Sequence, residues 1–259
     1  MVTFTGHDVR ATLSHSTHEH GLKLVAMDKL FQCDGCRQIG DELRFRCEQC
    51  DFDLHICCAQ SPTRVEPSMF EGRALTLFQS RPASANNPGG VIPICGVCGD
   101  PVCGFLYHNR EHDLDLHPMC AFLPKRVRVE EHELELHQAA GHNCGLCGKD
   151  GYLGKYMAYR FQDDDGQLAY VHVVCLMEAS YSSDGHVVQG TSTTTGELAT
   201  LRNAPRRSGG FRRFCKVAFR IVRVSYSVAT LDPRGSFHSD CKLTSRLAYR
   251  IVTIPVIYS

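Results

Sequence analysis

Residues 33–58 read CDGCRQIGDELRFRCEQCDFDLHICC, which begins with a Cys-x2-Cys pair and ends with a His-x2-Cys pair. The same combination recurs twice further along the chain. The three quartets are Cys33, Cys36, His55 and Cys58; Cys95, Cys98, His117 and Cys120; and Cys144, Cys147, His172 and Cys175. Three thiolates and one imidazole form a closed, tetrahedral zinc site of the structural kind. Their recurrence predicts a tandem array of small metal-dependent modules.

The size and cysteine content of the chain agree with metal-stapled modules. The chain has 259 residues and 15 cysteines. A module of about 50 residues buries little apolar surface and usually needs a staple. A disulfide framework does not require histidines at fixed offsets, whereas a zinc site does. We see no secretory signal and no apolar run of about 18 residues, so we expect reduced thiols in the cytoplasm or nucleus.

The predicted fold class is small zinc-stabilised α+β modules in tandem, each with short β-strands and a short helix, followed by a basic amphipathic C-terminal segment. Alternation in His18-Glu-His20-Gly-Leu22-Lys-Leu24 indicates a strand, and Leu75-Thr-Leu77 repeats its rhythm. The predicted boundaries are a leader at 1–14, module one at 15–66, module two at 67–126, module three at 127–180, a flexible linker at 181–210 and a basic tail at 211–259.

The tail differs from the rest of the chain in charge. Residues 202–250 contain 12 Lys or Arg and 2 Asp or Glu, although the whole chain has a formal net charge of zero. Phe211, Phe214, Ala218 and Val222 fall at helical spacing within it. This basic segment could bind an anionic membrane, nucleic acid or a calmodulin-like partner, or it could pack on the zinc array.

The first module carries additional ligands, which are His20, Cys47 and Cys50, and the phrase CDFDLHICCA at 50–59. With these residues it resembles the phorbol-ester and diacylglycerol-binding zinc domain of protein kinase C, and more closely the divergent plant-type Cys/His-rich relatives of that domain. The resemblance covers roughly residues 15–180. It implies two interleaved zinc ions in module one, one held by the first quartet and the other by His20, Cys47, Cys50 and one further ligand.

The identity of that further ligand is open from the sequence. The family pattern places it a few residues after Cys58, but residues 59–70 contain neither Cys nor His. His18 and His15 are both candidates, and a water molecule is a third possibility. We favour His18, because residues two apart on a strand project to the same face and His18 would then lie beside His20.

The later modules have fewer candidate ligands. In module two, His112 stands where module one has Cys50, but Asn109 replaces the other thiolate and neutral Asn is a poor zinc ligand. His108, Cys103 or His132 could substitute there. Module three has no second pair, so we expect one zinc in it and about four structural zinc ions in the chain. Four cysteines lie outside these ligand sets: Cys57, Cys103, Cys215 and Cys241.

A closed four-ligand zinc leaves no position for water or substrate, so it cannot act as catalytic zinc does. We therefore expect a non-catalytic adaptor that binds protein partners in signalling or in stress and defence responses, with no small-molecule substrate.

One alternative is a peripheral lipid-binding module. The segment between the two Cys pairs, Arg37 to Arg46, reads as a short charged loop, which argues against diacylglycerol binding. Another alternative is a chromatin-type or nucleic-acid-binding finger in which Cys95 and Cys98 complete module one. An oxidoreductase is weaker, because zinc-bound thiolates exchange poorly.

Overall fold

The computed structural model describes residues 12–83, 91–129, 131–139, 141–151, 157–163 and 165–181, together with Ala218. The predicted linker from residue 182 onward and the basic tail, apart from Ala218, therefore lie outside the described residues. Within the described part, the protein consists mostly of strands with few and short helices, arranged as three separate four-stranded sheets.

The first sheet is antiparallel, with strand order β1-β2-β3-β4. Its elements are β1 (Thr12–His15), β2 (His18–Gln32), β3 (Ile39–Cys47), β4 (Asp53–Leu54) and helix α1 (Ile56–Ala59). Two expectations need correction. Strand β1 begins inside the predicted leader. The segment between the two Cys pairs is mainly strand β3, where Arg44 is 3% exposed and pairs with Asp53 at 3.3 Å.

The second sheet has the order β5-β6-β7-β8, and all of its neighbours are antiparallel. Its elements are β5 (Arg64–Val65), β6 (Leu75–Phe78), β7 (Leu106–Asn109), β8 (Leu114–Leu116) and helix α2 (Pro118–Ala121). Strand β5 lies before residue 67, so the second sheet begins within the range that the sequence assigns to module one.

The third sheet repeats this arrangement in the order β9-β10-β11-β12. Its elements are β9 (Arg126–Val129), β10 (His132–Gln138), β11 (Met157–Gln162), β12 (Leu168–His172) and helix α3 (Val173–Tyr181). Helix α3 has nine residues, whereas α1 and α2 have four each.

Each sheet has the same small apolar core beside its metal ligands. An aromatic residue of the third strand is paired with an aliphatic residue of the fourth: Phe45 with Leu54, Tyr107 with Leu116, and Tyr159 with Val171. All six side chains are at most 1% exposed. The aliphatic member directly precedes the ligand histidine, so hydrophobic burial fixes the point at which that histidine leaves the sheet.

The chain divides into two compact units. One contains the first two sheets. The other contains the third sheet and the short segments Pro67–Glu71 and Gly96–Asp100. Among the described residues, no helix has the length and apolar character needed to cross a membrane.

Candidate metal centres

The first half of each quartet is a tight turn that presents two cysteines. The backbone N–H of Arg37 donates to the Cys33 carbonyl at 2.9 Å, and that of Gly148 donates to the Cys144 carbonyl at 2.8 Å. The residue after the second cysteine is left-handed in all three turns, with φ of +65° at Arg37, +83° at Gly99 and +72° at Gly148. Glycine adopts this conformation without steric cost, and the turn aims both thiols at one point.

The second half of each quartet comes from the end of the fourth strand and the helix that follows. The histidine closes the strand, and the cysteine three residues later lies in the first helical turn. His55, His117 and His172 are 4%, 0% and 5% exposed. A buried imidazole among thiols needs a polar partner, and a metal ion would supply one.

The ligand atoms of each quartet lie within 4.8 Å of one another. In every quartet the histidine turns Nδ1 toward the sulfurs. The Sγ to Nδ1 distances are 3.3 Å and 3.9 Å from Cys36 and Cys58 to His55, 4.0 Å from Cys120 to His117, and 3.5 Å and 3.8 Å from Cys147 and Cys175 to His172. Sulfur and nitrogen ligands of one tetrahedral zinc lie about 3.6 Å apart. The donor sets therefore fit zinc.

In the first and third quartets, one cysteine thiol has a lowered pKa. Hydrogen bonds from Cys147 and Cys175 lower the pKa of the Cys144 thiol to about 2. Burial acts to raise the pKa of the Cys33 thiol, but hydrogen bonds from Cys36 and Cys58 outweigh it and lower that pKa. The backbone N–H of His172 also donates to the Cys144 sulfur at 3.4 Å. The hydrogen bonds to Cys33 and Cys144 raise the pKa values of their partner thiols Cys36 and Cys175. Each of these two sites thus holds one thiolate, which is the form that binds zinc.

A fourth cluster lies at the other end of module one and contains His18, His20, Cys47 and Cys50. The Cys50 sulfur is 3.2 Å from Nδ1 of His20. The His18 ring stacks on Phe52 at 4.2 Å, and its Nε2 is buried without a hydrogen-bond partner among the described residues. An orphaned ring nitrogen beside two thiols fits a zinc ligand. The structure thus brings His18, the favoured candidate for the fourth ligand, together with His20, Cys47 and Cys50.

The structure places the other candidate, His15, elsewhere. Its Nδ1 lies 2.8 Å from the Thr17 hydroxyl, and its ring stacks on Phe105 at 5.9 Å. His15 is outside the Cys/His clusters of the described residues. Four clusters, each with four ligand-capable residues, fit about four structural zinc ions.

His112, the candidate ligand in module two, lies outside the four Cys/His clusters. Its backbone N–H donates to the Asn109 side-chain oxygen at 2.8 Å, and its Nδ1 lies 3.1 Å from the same oxygen. Of the possible substitutes, Cys103 is exposed and His132 Nδ1 lies 2.7 Å from the Gln162 carbonyl oxygen.

His108, the third possible substitute, takes part in a different group that the sequence pattern did not reveal. It lies with Asp113 and Asp115 within metal-ligand reach. However, Nε of Arg81 donates to Asp115 at 3.0 Å, and Arg81 also contacts Asp113. His108 Nδ1 lies 2.8 Å from Asp115. Because a guanidinium already occupies the carboxylates, this group is an ion-pair network and a poor cation site.

The comparisons with known proteins support the zinc-domain resemblance of the first module. Residues 16–59 match the family model described as C1 domain. A stretch of 55 residues is 38% identical to probable nucleoredoxin 3 of Arabidopsis thaliana. That stretch is 21% of this chain and spans 14% of the length of the relative. No solved structure matches the chain. The predicted resemblance to the phorbol-ester type of zinc domain is confirmed for module one, and the further Cys/His clusters indicate tandem zinc-binding modules.

Proposed function

We propose that this chain is a non-catalytic adaptor of intracellular signalling or stress and defence responses, acting in the cytoplasm or nucleus through protein partners. The observation that supports this most strongly is the closure of the metal clusters. Each of the four offers four protein ligands, so a bound zinc would have no open position for water or substrate. The metal would then stabilise the modules and would not take part in chemistry.

The proposal includes the organisation of the chain. Each four-stranded sheet with its following helix is a tandem α+β module, and the basic segment at 211–259 is an accessory binding element. Small metal-stapled modules suit recognition, because rigid elements hold surface residues in place at little entropic cost.

An exposed apolar run offers a surface for a protein partner. Val91, Ile92 and Ile94 are 70%, 57% and 50% exposed and directly precede the second Cys-x2-Cys turn. Single exposed apolar residues are common, but three within four positions bring apolar side chains close together on the surface, as at interaction sites. The neighbouring Cys95 is 1% exposed, so the patch is attached to the metal-held core.

The experiment compares proximity labelling by the full chain and by a Val91→Asp/Ile92→Asp double variant in cells. We expect the variant to lose a defined group of labelled proteins while it keeps its zinc content. Leu168→Asp is the matched control, since Leu168 is a single apolar residue with 55% exposure. Identical labelling by the wild type and the double variant would contradict the proposed surface, and turnover of a small molecule dependent on the zinc sites would contradict the adaptor role.

Two alternatives have weaker support. For a lipid-binding module, the segment between the Cys pairs of module one would need apolar loops, but it forms strand β3, in which Arg44 and Arg46 pair with Asp53 at 3.3 Å and 2.6 Å. For a chromatin-type finger, Cys95 and Cys98 would complete module one, but they gather with His117 and Cys120. Sedimentation with vesicles that contain anionic lipid would test the lipid alternative directly.

A further inference from the structure

The histidines of the three quartets differ in what holds their outer nitrogen, Nε2. His117 Nε2 lies 3.1 Å from the Pro101 carbonyl oxygen and 3.1 Å from Nε2 of the Gln38 side-chain amide. His55 Nε2 has the Ile39 carbonyl at 3.3 Å. His172 Nε2 is buried and has no hydrogen-bond partner among the described residues. Gln38 therefore provides the second quartet with a contact from another module, 79 residues away in sequence.

The backbone turn before Gln38 contacts module two directly, and this contact holds Gln38 near His117. The Phe105 N–H, just before strand β7, donates to the Gly35 carbonyl at 2.9 Å. A Cβ at Gly104 would lie 2.0 Å from that carbonyl oxygen, and one at Gly35 would lie 2.7 Å from the Phe105 ring. Only glycine allows so close an approach at either position. The turn that carries Gln38 is thus held directly on the second module.

The chemistry of zinc binding sets the direction of this hydrogen bond. In the second quartet Nδ1 faces the sulfurs, with 4.0 Å to the Cys120 Sγ. When Nδ1 binds a metal, the proton of the neutral imidazole is on Nε2. Nε2–H is then a donor. The structure places the amide nitrogen of Gln38 against it, so Gln38 accepts this hydrogen bond with its side-chain amide rotated to exchange nitrogen and oxygen, two atoms whose assignment follows from the hydrogen-bond network. Such an acceptor orients the ring and raises its basicity.

We propose that Gln38 is a positioning residue for the zinc site of module two, so that module one supports the metal affinity of its neighbour. The inference depends on zinc binding but is independent of the adaptor role. It predicts that the three Cys3His sites, although alike in ligands, lose zinc at different rates. The second site, with two acceptors on its histidine, is the slowest, and the third site is the fastest.

The test is cadmium-113 NMR of the full chain, in which each Cys3His site gives its own signal, followed during competition with a chelator. Gln38→Leu removes one of the two acceptors on His117, leaves the Pro101 carbonyl, and keeps a similar volume. We expect metal release from the second site to become about 10-fold faster, the lower end of the range usual for loss of an outer hydrogen-bond partner. Release from the first site, in the module that carries the substitution, stays unchanged. A merely structural role of Gln38 would instead accelerate the first site.

Two further variants complete the design. Gln38→Glu retains an acceptor oxygen and should preserve slow release from the second site. Gln32→Leu is the matched control, because Gln32 is an exposed glutamine of the same module that donates to the Arg37 carbonyl at 3.3 Å. Unchanged release from the second site in Gln38→Leu, or equal acceleration by Gln38→Leu and Gln38→Glu, would overturn the inference.

Discussion

The first and second modules differ at the turn that carries the second pair of candidate ligands. The first quartet and its counterpart are offset by 62 residues, and the same offset carries Cys47 to Asn109 and Cys50 to His112. In module one, the backbone N–H of Cys50 donates to the Cys47 sulfur at 3.3 Å. In module two, the backbone N–H of His112 donates to the Asn109 side-chain oxygen at 2.8 Å. The turn is retained, and an amide oxygen takes the place of a thiolate.

The difference shows which part of a zinc module requires the metal. In module two, the Asn109 side chain also donates to the Ala74 carbonyl at 2.8 Å. This bond joins the turn to the start of the neighbouring strand, β6. An Asn side chain commonly organises a turn in this way. The second metal position can therefore be replaced by hydrogen bonds, whereas all three modules keep the Cys3His quartet beside the helix.

The largest expected effect that tests this comparison comes from loss of a ligand in module one. Cys50→Ala should reduce the zinc content from about four to about three ions per chain. It should also destabilise the outer end of module one strongly, because metal binding energies in such small modules are on the order of 10 kcal/mol. Elemental analysis and hydrogen exchange of strand β2 would measure both effects.

His112→Ala is the matched variant in module two. It should leave the zinc content unchanged, since the structure ties His112 to Asn109 and not to a Cys/His cluster. A surface substitution of this kind usually costs less than about 0.5 kcal/mol. A drop in zinc content in His112→Ala would show that module two has a second metal site after all.

An effect smaller than that of Cys50→Ala is expected from converting module two toward module one. The double variant Asn109→Cys/His112→Cys restores the cysteine pair, but Arg73, two residues before strand β6, stands at the position that corresponds to His20 when the registers are aligned. Two thiols without the histidine partners do not make a four-ligand zinc site. We expect no additional zinc and a loss of about 1–2 kcal/mol in unfolding free energy, because the hydrogen bonds of Asn109 are removed. Binding of a fifth zinc would contradict the comparison.

The sequence predicted which cysteines and histidines come together better than it predicted the strands that carry them. The quartets follow from spacing, because a Cys-x2-Cys turn and a His-x2-Cys turn can each present two ligands locally. His18 followed from strand periodicity, since residues two apart share a face. Strand β3 was read as a charged loop because its pairing partner is distant: Arg44 is buried against Asp53 and lies 4.5 Å over the Phe31 ring. Local charge gives no sign of such a partner.

The contacts between repeats also could not be predicted from the sequence. The Tyr107 hydroxyl donates to the Pro62 carbonyl at 2.7 Å, and the Tyr159 hydroxyl donates to the Pro124 carbonyl at 2.8 Å. These equivalent bonds join each of the later sheets to the segment that leads into it. They depend on the register between β7 or β11 and its neighbours, which pattern analysis of single segments does not supply.

A further small effect is expected in the Cys-x2-Cys turn itself, where module one again differs from the others. Arg37 has φ of +65° at the position that is glycine in modules two and three. A side chain in this conformation costs about 1 kcal/mol relative to glycine. Arg37 also forms an exposed ion pair with Asp34 at 2.9 Å, worth about 0.5 kcal/mol. Arg37→Gly should therefore raise the unfolding free energy of the zinc-loaded protein by about 0.5 kcal/mol. Arg37→Ala, which loses the ion pair but keeps the strain, should lower it by a similar amount.

Thermal unfolding at saturating zinc measures both variants, and their difference isolates the backbone term. Equal stability of the two variants would mean that the left-handed residue carries no strain, and that glycine at positions 99 and 148 has a different cause.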